Sequence, residues 1–162
     1  MNDDNILRAT APIFLLRSTE SCWRCHASQQ VIALALRWRR DEHQDVHEQP
    51  EENEVLILHN IHTMPKLLLD AIVSRHPRFE KRTSKTAGTA YYMNTCGCGA
   101  HFGDFYLFSE PGGAFFPMDE NEASRIIMEE LPLTGTFELD CSYGMGLGDL
   151  IFERAKKHNP YQ

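Results

Sequence analysis

The sequence has no long hydrophobic run. None of its apolar stretches approaches the roughly 20 residues that a membrane-spanning helix needs. Residues 1–5 are polar and acidic, unlike the basic and then apolar start of a secretory signal. With 42% hydrophobic and 24% charged residues, the composition is that of an ordinary globular protein. We therefore expect a cytoplasmic protein that does not associate with membranes.

The sequence also lacks a catalytic motif. The glycine-rich segment 144–148 has neither the Lys and Ser/Thr of a phosphate-binding P-loop nor the spacing of a dinucleotide-binding loop. Asp104 near His101, and Asp140 beside Cys141, combine residue types that enzymes use, but neither pair has a distinctive spacing. These absences favour a binding protein over an enzyme.

Basic residues are absent from the segment 41–54, which contains seven Asp or Glu. The other 16 acidic and 16 basic residues cancel, so this segment accounts for the net charge of −7. It shows no periodicity and contains Pro50, which predicts an exposed acidic loop. A neutral body with an acidic loop is a poor generic binder of nucleic acid, and it suits a basic protein partner.

Cysteines are few, but four of the five lie in two close pairs. The first pair has the form C-x-x-C and the second the form C-x-C, about 70 residues later. Four thiolates at tetrahedral geometry make a closed, structural zinc site, and in a reducing cytoplasm close pairs are more often ligands than disulfides. The sequence therefore predicts a structural Zn²⁺ held by Cys22, Cys25, Cys96 and Cys98.

Three questions about the cysteines stay open at this point. The C-x-C pair is one residue tighter than a usual zinc knuckle, so a thiol that fails to reach the ion would be replaced by His101 first and His26 second. A C-x-x-C pair can also form a dithiol–disulfide redox centre, which keeps an oxidoreductase as an alternative. The isolated Cys141 is expected to be a small buried apolar side chain.

Hydrophobic patterning predicts an α+β fold in a single zinc-binding domain over residues 1–162, with a loose terminus over 1–11. We expect a small antiparallel sheet with a zinc-ribbon-like Cys₄ site and about three helices packed on it. The helices are predicted over residues 64–76, 119–131 and 147–158, and residues 119–158 form the helical C-terminal part. Strands are predicted at residues 12–17, 32–38, 54–60, 89–94, 102–108 and 134–141.

Four motifs resemble a known group of proteins. They are Cys22-Trp23-Arg24-Cys25, the run from Tyr92 to Gly99, Gly103-Asp104-Phe105-Tyr106-Leu107, and the run from Glu110 to Pro117. Together they are similar to small, largely uncharacterised bacterial zinc-ribbon-like proteins over about residues 12–117. The resemblance implies a Cys₄ zinc site and a bacterial cytosolic protein, and it brings no reaction. The C-x-C pair departs from the C-x-x-C that the group has in both halves.

The aromatic run 111–117 is expected to cover the metal site with Phe115 and Phe116, or otherwise to form an exposed partner-binding patch. The function predicted is a zinc-stabilised, non-enzymatic protein-binding module, in one version an immunity or antitoxin-like inhibitor of a basic partner. A nucleic-acid-binding zinc ribbon acting through the basic segment 75–85 is a less favoured alternative. The oligomeric state is not indicated by the sequence.

Overall fold

The computed structural model describes residues 6–40, 50–85, 88–144 and 148–158. The chain begins with the strands β1 (Ile6–Thr10), β2 (Ile13–Ser21), β3 (Ser28–Arg37) and β4 (Val55–Thr63), followed by the helix α1 (Lys66–Val73). The strands β5 (Phe79–Ser84), β6 (Thr89–Thr95) and β7 (His101–Phe102) come next, followed by the helices α2 (Asp104–Phe108) and α3 (Glu120–Ala123). The last elements are β8 (Ile127–Glu130), β9 (Thr136–Gly144), α4 (Gly148–Arg154) and β10 (Lys156–His158). No helix in these ranges is long and apolar enough to cross a membrane.

Seven strands form the main sheet, in the order β1-β9-β4-β3-β2-β8-β10. All neighbours in it are antiparallel except β10, which runs parallel to β8. The strands β5, β6 and β7 form a second, three-stranded antiparallel sheet. The central strand β3 reads VIALAL over residues 31–36, and all six side chains are buried. A strand that is apolar on both sides needs a core on each face of its sheet.

The two faces of the main sheet carry separate hydrophobic clusters. The first cluster packs Ile32 and Leu34 of β3 against Leu68 and Ile72 of α1. The second packs Val31, Ala33 and Ala35 of the same strand against the later helices, through side chains that include Leu107, Ile151 and Phe152. Because successive side chains of a strand point to opposite faces, β3 alone divides the molecule into these two cores.

The α+β class is confirmed, but the predicted small sheet is wrong in size and is not purely antiparallel. The prediction of a helical C-terminal part over 119–158 is confirmed only for α4, because β8 and β9 lie in the same range and residues 156–158, predicted as the end of the closing helix, form β10. Asp119 does cap a helix through its side chain, but α3 ends after a single turn. The next residues form β8, which pairs with β2, so strand pairing overrides the helical spacing of Ala123, Ile126 and Leu131.

Two further sequence predictions are corrected. Residues 102–108 are not a strand, because β7 ends at Phe102 and α2 begins at Asp104. The start of the chain is not loose throughout, because residues 6–10 form β1 on β9. The predicted strands at 32–38, 54–60, 89–94 and 134–141 are confirmed to within a few residues as β3, β4, β6 and β9. Of the acidic segment, residues 41–49 lie outside the described residues, and residues 51–53 are exposed.

Candidate metal centre

The first cysteine pair lies at the tip of the β2–β3 hairpin. The backbone N–H of Cys22 donates to the Ala27 carbonyl at 2.9 Å, and the His26 N–H donates to the Cys22 carbonyl, also at 2.9 Å. The loop closes because His26 adopts a left-handed conformation with φ of 63°. In this tight loop the Arg24 N–H lies 3.4 Å from the Cys22 sulfur. A backbone donor of this kind stabilises a thiolate.

The second pair lies in the turn between β6 and β7 and closes in the same way with one residue fewer. The Cys96 N–H donates to the Ala100 carbonyl at 2.7 Å, and the Gly99 N–H donates to the Cys96 carbonyl at 3.0 Å. Gly99 has φ of 92°, so it occupies the position that His26 has in the first tip. The C-x-C turn has one residue fewer between its cysteines than the C-x-x-C turn. It still brings both of its sulfurs to the same side.

The two tips bring all four sulfurs together. The ligand atoms of Cys22, Cys25, Cys96 and Cys98 lie within 4.8 Å of one another. The Cys22 and Cys98 sulfurs are 3.7 Å apart, and those of Cys25 and Cys96 are 3.5 Å apart. Tetrahedral bonds of about 2.3 Å to a zinc ion separate neighbouring sulfurs by about 3.8 Å. All four thiols are free, so the cluster can hold a metal ion.

Contacts between the hairpins keep the tips in register. The side chain of the buried Asn94 on β6 accepts from the Ile32 N–H at 2.8 Å and donates to the Ile32 carbonyl at 3.0 Å. Because the pairing of β3 with β4 covers Leu34 to Arg37, Asn94 satisfies the backbone of β3 where that pairing has ended. At the tips, the Trp23 indole N–H donates to the His101 carbonyl at 3.0 Å. These bonds fasten the hairpin with the first cysteines to the one with the second.

The thiols differ in acidity. The backbone N–H groups of Cys25 and Arg24 lower the pKa of Cys22 to about 6 against the opposing effect of burial, which makes it a thiolate at neutral pH. The Cys98 N–H lowers the pKa of Cys96, but burial and the neighbouring sulfurs outweigh it and raise that pKa to about 11. Metal ligation requires thiolates, so metal binding here must release protons and depends on pH.

The alternative ligands are not part of the cluster. His26 supplies the left-handed turn of the first tip, and His101 offers its backbone carbonyl to Trp23. Cys141 lies on β9 in the first hydrophobic cluster, and burial raises its pKa to about 12. The expectation that Cys141 is a buried apolar side chain is therefore confirmed. Of the aromatic loop, Phe115 belongs to the same hydrophobic cluster as Cys22 and Cys96.

Sequence reasoning missed a second polar feature, around Asp104. This carboxylate is buried, accepts from the Asn60 N–H at 2.6 Å, and has its pKa raised to about 7, chiefly by burial. Asn60 has φ of 47° and lies at an irregularity of β4 between His59 and Thr63. Asp104 and His101, which lie close in the sequence without a distinctive catalytic spacing, make no side-chain contact with each other among the described residues. The sequence, from which residues 102–108 are predicted to form a strand, contains no signal that Asp104 begins a helix or that it is buried.

No protein-family model matches the chain, and neither the search of curated proteins nor the search of solved structures finds a match. The resemblance to zinc-ribbon-like proteins therefore stays a prediction.

Proposed function

We propose that the four-cysteine cluster holds one structural Zn²⁺ and that the chain is a zinc-stabilised, non-enzymatic module that binds a protein partner. The observation that supports this proposal most is the convergence of four sulfurs from two hairpin tips. Four sulfur ligands fill the tetrahedral coordination of zinc and leave no position for water or substrate. Two short turns that each present a cysteine pair are also the arrangement of zinc ribbons.

The first tip presents the kind of side chains that partners recognise. Trp23 is 59% exposed despite its bond to the second tip, and the Arg24 guanidinium lies 5.0 Å from the centre of its ring. Trp and Arg are enriched among the residues that contribute most to protein–protein binding. A metal ion beneath them would hold both in place before a partner arrives, which lowers the entropy lost on binding.

The acidic segment 41–54 favours a basic partner. Charge complementarity accelerates encounter between proteins and excludes partners of the same sign. One version of the proposal is therefore an immunity or antitoxin-like inhibitor that neutralises an enzyme with a cationic active site.

The metal proposal is tested by measuring zinc and cobalt in the purified full-length chain. We expect one Zn²⁺ per chain, and Co²⁺ substitution should give the absorption of a tetrahedral tetrathiolate site. Cys141→Ala serves as the control that keeps full metal content. Metal-free protein that exchanges disulfides rapidly would instead support the thiol oxidoreductase, which the lowered pKa of Cys22 favours.

The partner proposal is tested by comparing the proteins bound by three forms of the zinc-loaded chain. These are the wild type, a deletion of residues 41–54, and Trp23→Ala. A basic partner is expected to be retained at low salt by the wild type and to be lost from both variants. If every interaction survives both changes, the acidic segment and the tip do not form the binding surface.

The nucleic-acid alternative has less support, because part of the basic segment 75–85 is already ion-paired. Arg75 lies 2.8 Å from the Glu129 carboxylate and Arg82 lies 2.7 Å from Glu80. Salt-dependent retention of the chain on DNA or RNA would favour this alternative.

A further inference from the structure

A cavity of about 270 Å³ opens on the second face of the main sheet, apart from the four cysteines. Its walls come from β4, from α2 and the residue after it, and from the aromatic loop, through Ile57, His59, Phe108, Ser109, Phe115 and Phe116. The volume lies just below the roughly 300–1,000 Å³ of typical small-molecule sites. The cavity therefore suits a small ligand of one or two rings.

Aromatic rings dominate the walls. Phe108 and Phe115 stack with their centres 5.3 Å apart and their planes inclined by 24°. Hydrogen bonds fix the loop that carries the second ring, from the Phe115 N–H to the Leu107 carbonyl at 3.0 Å and from the Phe116 N–H to the Gly113 carbonyl at 3.0 Å. A planar ring can stack or meet edge-on with such walls, which adds to the gain from the area buried.

His59 is the main polar group in the cavity. Its ring lies 5.7 Å from that of Phe108, and burial lowers its pKa, so the imidazole is neutral at neutral pH. Within the described residues neither ring nitrogen of His59 has a hydrogen-bond partner. A neutral imidazole offers one donor and one acceptor. The only other polar side chain among the described lining residues is the hydroxyl of Ser109.

The fold holds the histidine and the aromatic wall in a fixed relation. His59 is followed by Asn60, whose N–H is held by the buried carboxylate of Asp104 at the start of α2. The same helix ends at Phe108, so this bond ties the helix to the strand beside the cavity. A second space of about 10 Å³ is lined by Asp104 and also by His59 and Phe108, which line the cavity as well. The hydrogen bond from Asn60 to Asp104 therefore helps to fix the positions of His59 and Phe108 in the walls of the cavity.

We propose that this cavity binds an uncharged, planar aromatic molecule that carries one hydrogen-bonding group directed at His59. No charged side chain is among the described residues that line it, so a charged ligand would lose its hydration without a counter-charge. The aromatic walls select a planar ring, and an imidazole nitrogen without a hydrogen-bond partner among the described residues selects a donor or acceptor on that ring. The cysteines take no part, so this proposal stands independently of the metal.

The test uses indole as the probe in an NMR titration of the zinc-loaded, ¹⁵N-labelled full chain. We expect saturable one-to-one binding with shifts concentrated at Ile57, His59, Phe108 and Phe115. Indole-3-carboxylate, which adds a charge, is expected to bind at least tenfold more weakly. Absence of saturable binding at millimolar indole, or equal binding of the carboxylate, would overturn the proposal.

Variants locate the site. Gly144 on β9 is paired with Ile57, which puts a side chain at Gly144 on the cavity face, and a Cβ there meets no atom of the described residues within 4 Å. Gly144→Ile should therefore fill the cavity and weaken indole binding more than tenfold. Glu138→Ile is the matched control, because it lies on the same strand and face but six residues away, about 20 Å.

Two further variants keep the test decisive. Ser109 is exposed and lines the cavity, so Ser109→Trp should block the cavity opening. It tests whether indole binds in the cavity if Gly144→Ile does not fold. His59→Phe should weaken indole binding about three- to tenfold while leaving indene, which lacks the N–H, unaffected. Unchanged indole affinity in the folded cavity-filling variants would show that binding occurs elsewhere.

Discussion

The molecule contains two polar features that are built in opposite ways, a half-buried cysteine cluster and a buried carboxylate. At the hairpin tips, four cysteine sulfurs lie within 4.8 Å of one another, so a single divalent ion can bind all four. At the start of α2, Asp104 is buried. It accepts a hydrogen bond from a backbone N–H, and no cationic side chain is bonded to it among the described residues. The cluster can obtain its counter-charge from outside as a metal ion, whereas the carboxylate must take up a proton. A buried charge needs a partner, and the kind of partner decides what the site responds to.

Removing a metal ligand should have the largest effect on metal content and stability. Cys96→Ser takes one sulfur from the cluster, and we expect it to abolish stoichiometric zinc binding and to lower the free energy of unfolding by about 3 kcal/mol or more, because metal-binding energy is folding energy. Chelation of the wild type should lower the melting temperature in the same direction. Calorimetry combined with metal analysis measures both.

The control is Cys141→Ala, which truncates a buried thiol outside the cluster. It should cost about 1 kcal/mol of packing and leave the metal content unchanged. If the two variants lose equal stability and equal metal, the distinction between the two kinds of cysteine is wrong.

Protonation of Asp104 should make the free energy of unfolding depend on pH. Its pKa is raised from 3.8 to about 7 in the folded chain, so the folded state binds a proton that the unfolded state has released between these values. The stability contributed by the protonated carboxyl is complete below about pH 4 and is lost as the pH rises through about 7. The total change is on the order of 4 kcal/mol.

Asp104→Asn should remove this dependence. An amide keeps an acceptor for the Asn60 N–H and cannot ionise, so the variant should gain stability relative to the wild type as the pH rises from about 4 to about 7, and the difference should level off above that. Denaturant unfolding at several pH values measures the difference, with bound zinc determined in each buffer so that the acid lability of the metal site cancels. Parallel curves for the two proteins would contradict the assignment.

The contrast also explains what the sequence could and could not predict. Cysteine spacing is a local signal with few physical meanings, so the four residues that meet in space could be named from the sequence. The number of strands in the main sheet could not be predicted from the sequence. The strands β1, β8 and β10 are short, and their pairing is decided by partners distant in the chain. The strand β8 lies within a stretch whose apolar residues have helical spacing. It still forms a strand, since tertiary pairing outweighs local propensity.

Asp104 and His59 lay beyond sequence reasoning for a different reason. An Asp at a helix start is usually a solvated cap, and nothing in the run from Gly103 to Leu107 shows that it is buried. Its environment is created by β4, about 45 residues earlier, through an irregularity that the apolar pattern of that strand does not reveal. Burial of a polar residue emerges only when the elements around it have been assembled.

A smaller effect compares the two tips with each other. Gly99 has φ of 92° and His26 has φ of 63°, so both tips need a left-handed residue, but only the shorter one uses glycine. Gly99→Ala should lower the free energy of unfolding by about 1–2 kcal/mol, because a Cβ is unfavourable in this conformation. His26→Gly should raise it by less than about 1 kcal/mol, since relief of strain is offset by a more flexible unfolded chain. Chemical denaturation with zinc bound measures both, and changes of the same sign would show that the tips are not equivalent.

The smallest expected effect concerns the bond that joins the tips. Trp23→Phe keeps an aromatic ring at the first tip and removes the indole N–H that donates to the His101 carbonyl. Because the ring is largely exposed, the loss should be about 0.5 kcal/mol, at the low end of the range for a protein hydrogen bond. If the metal ion alone holds the tips together, zinc affinity in competition with a chelator should stay within about twofold of the wild type. A much larger loss of affinity would mean that the indole bond sets the spacing of the sulfurs, and the cluster would then depend on its protein scaffold as strictly as Asp104 does.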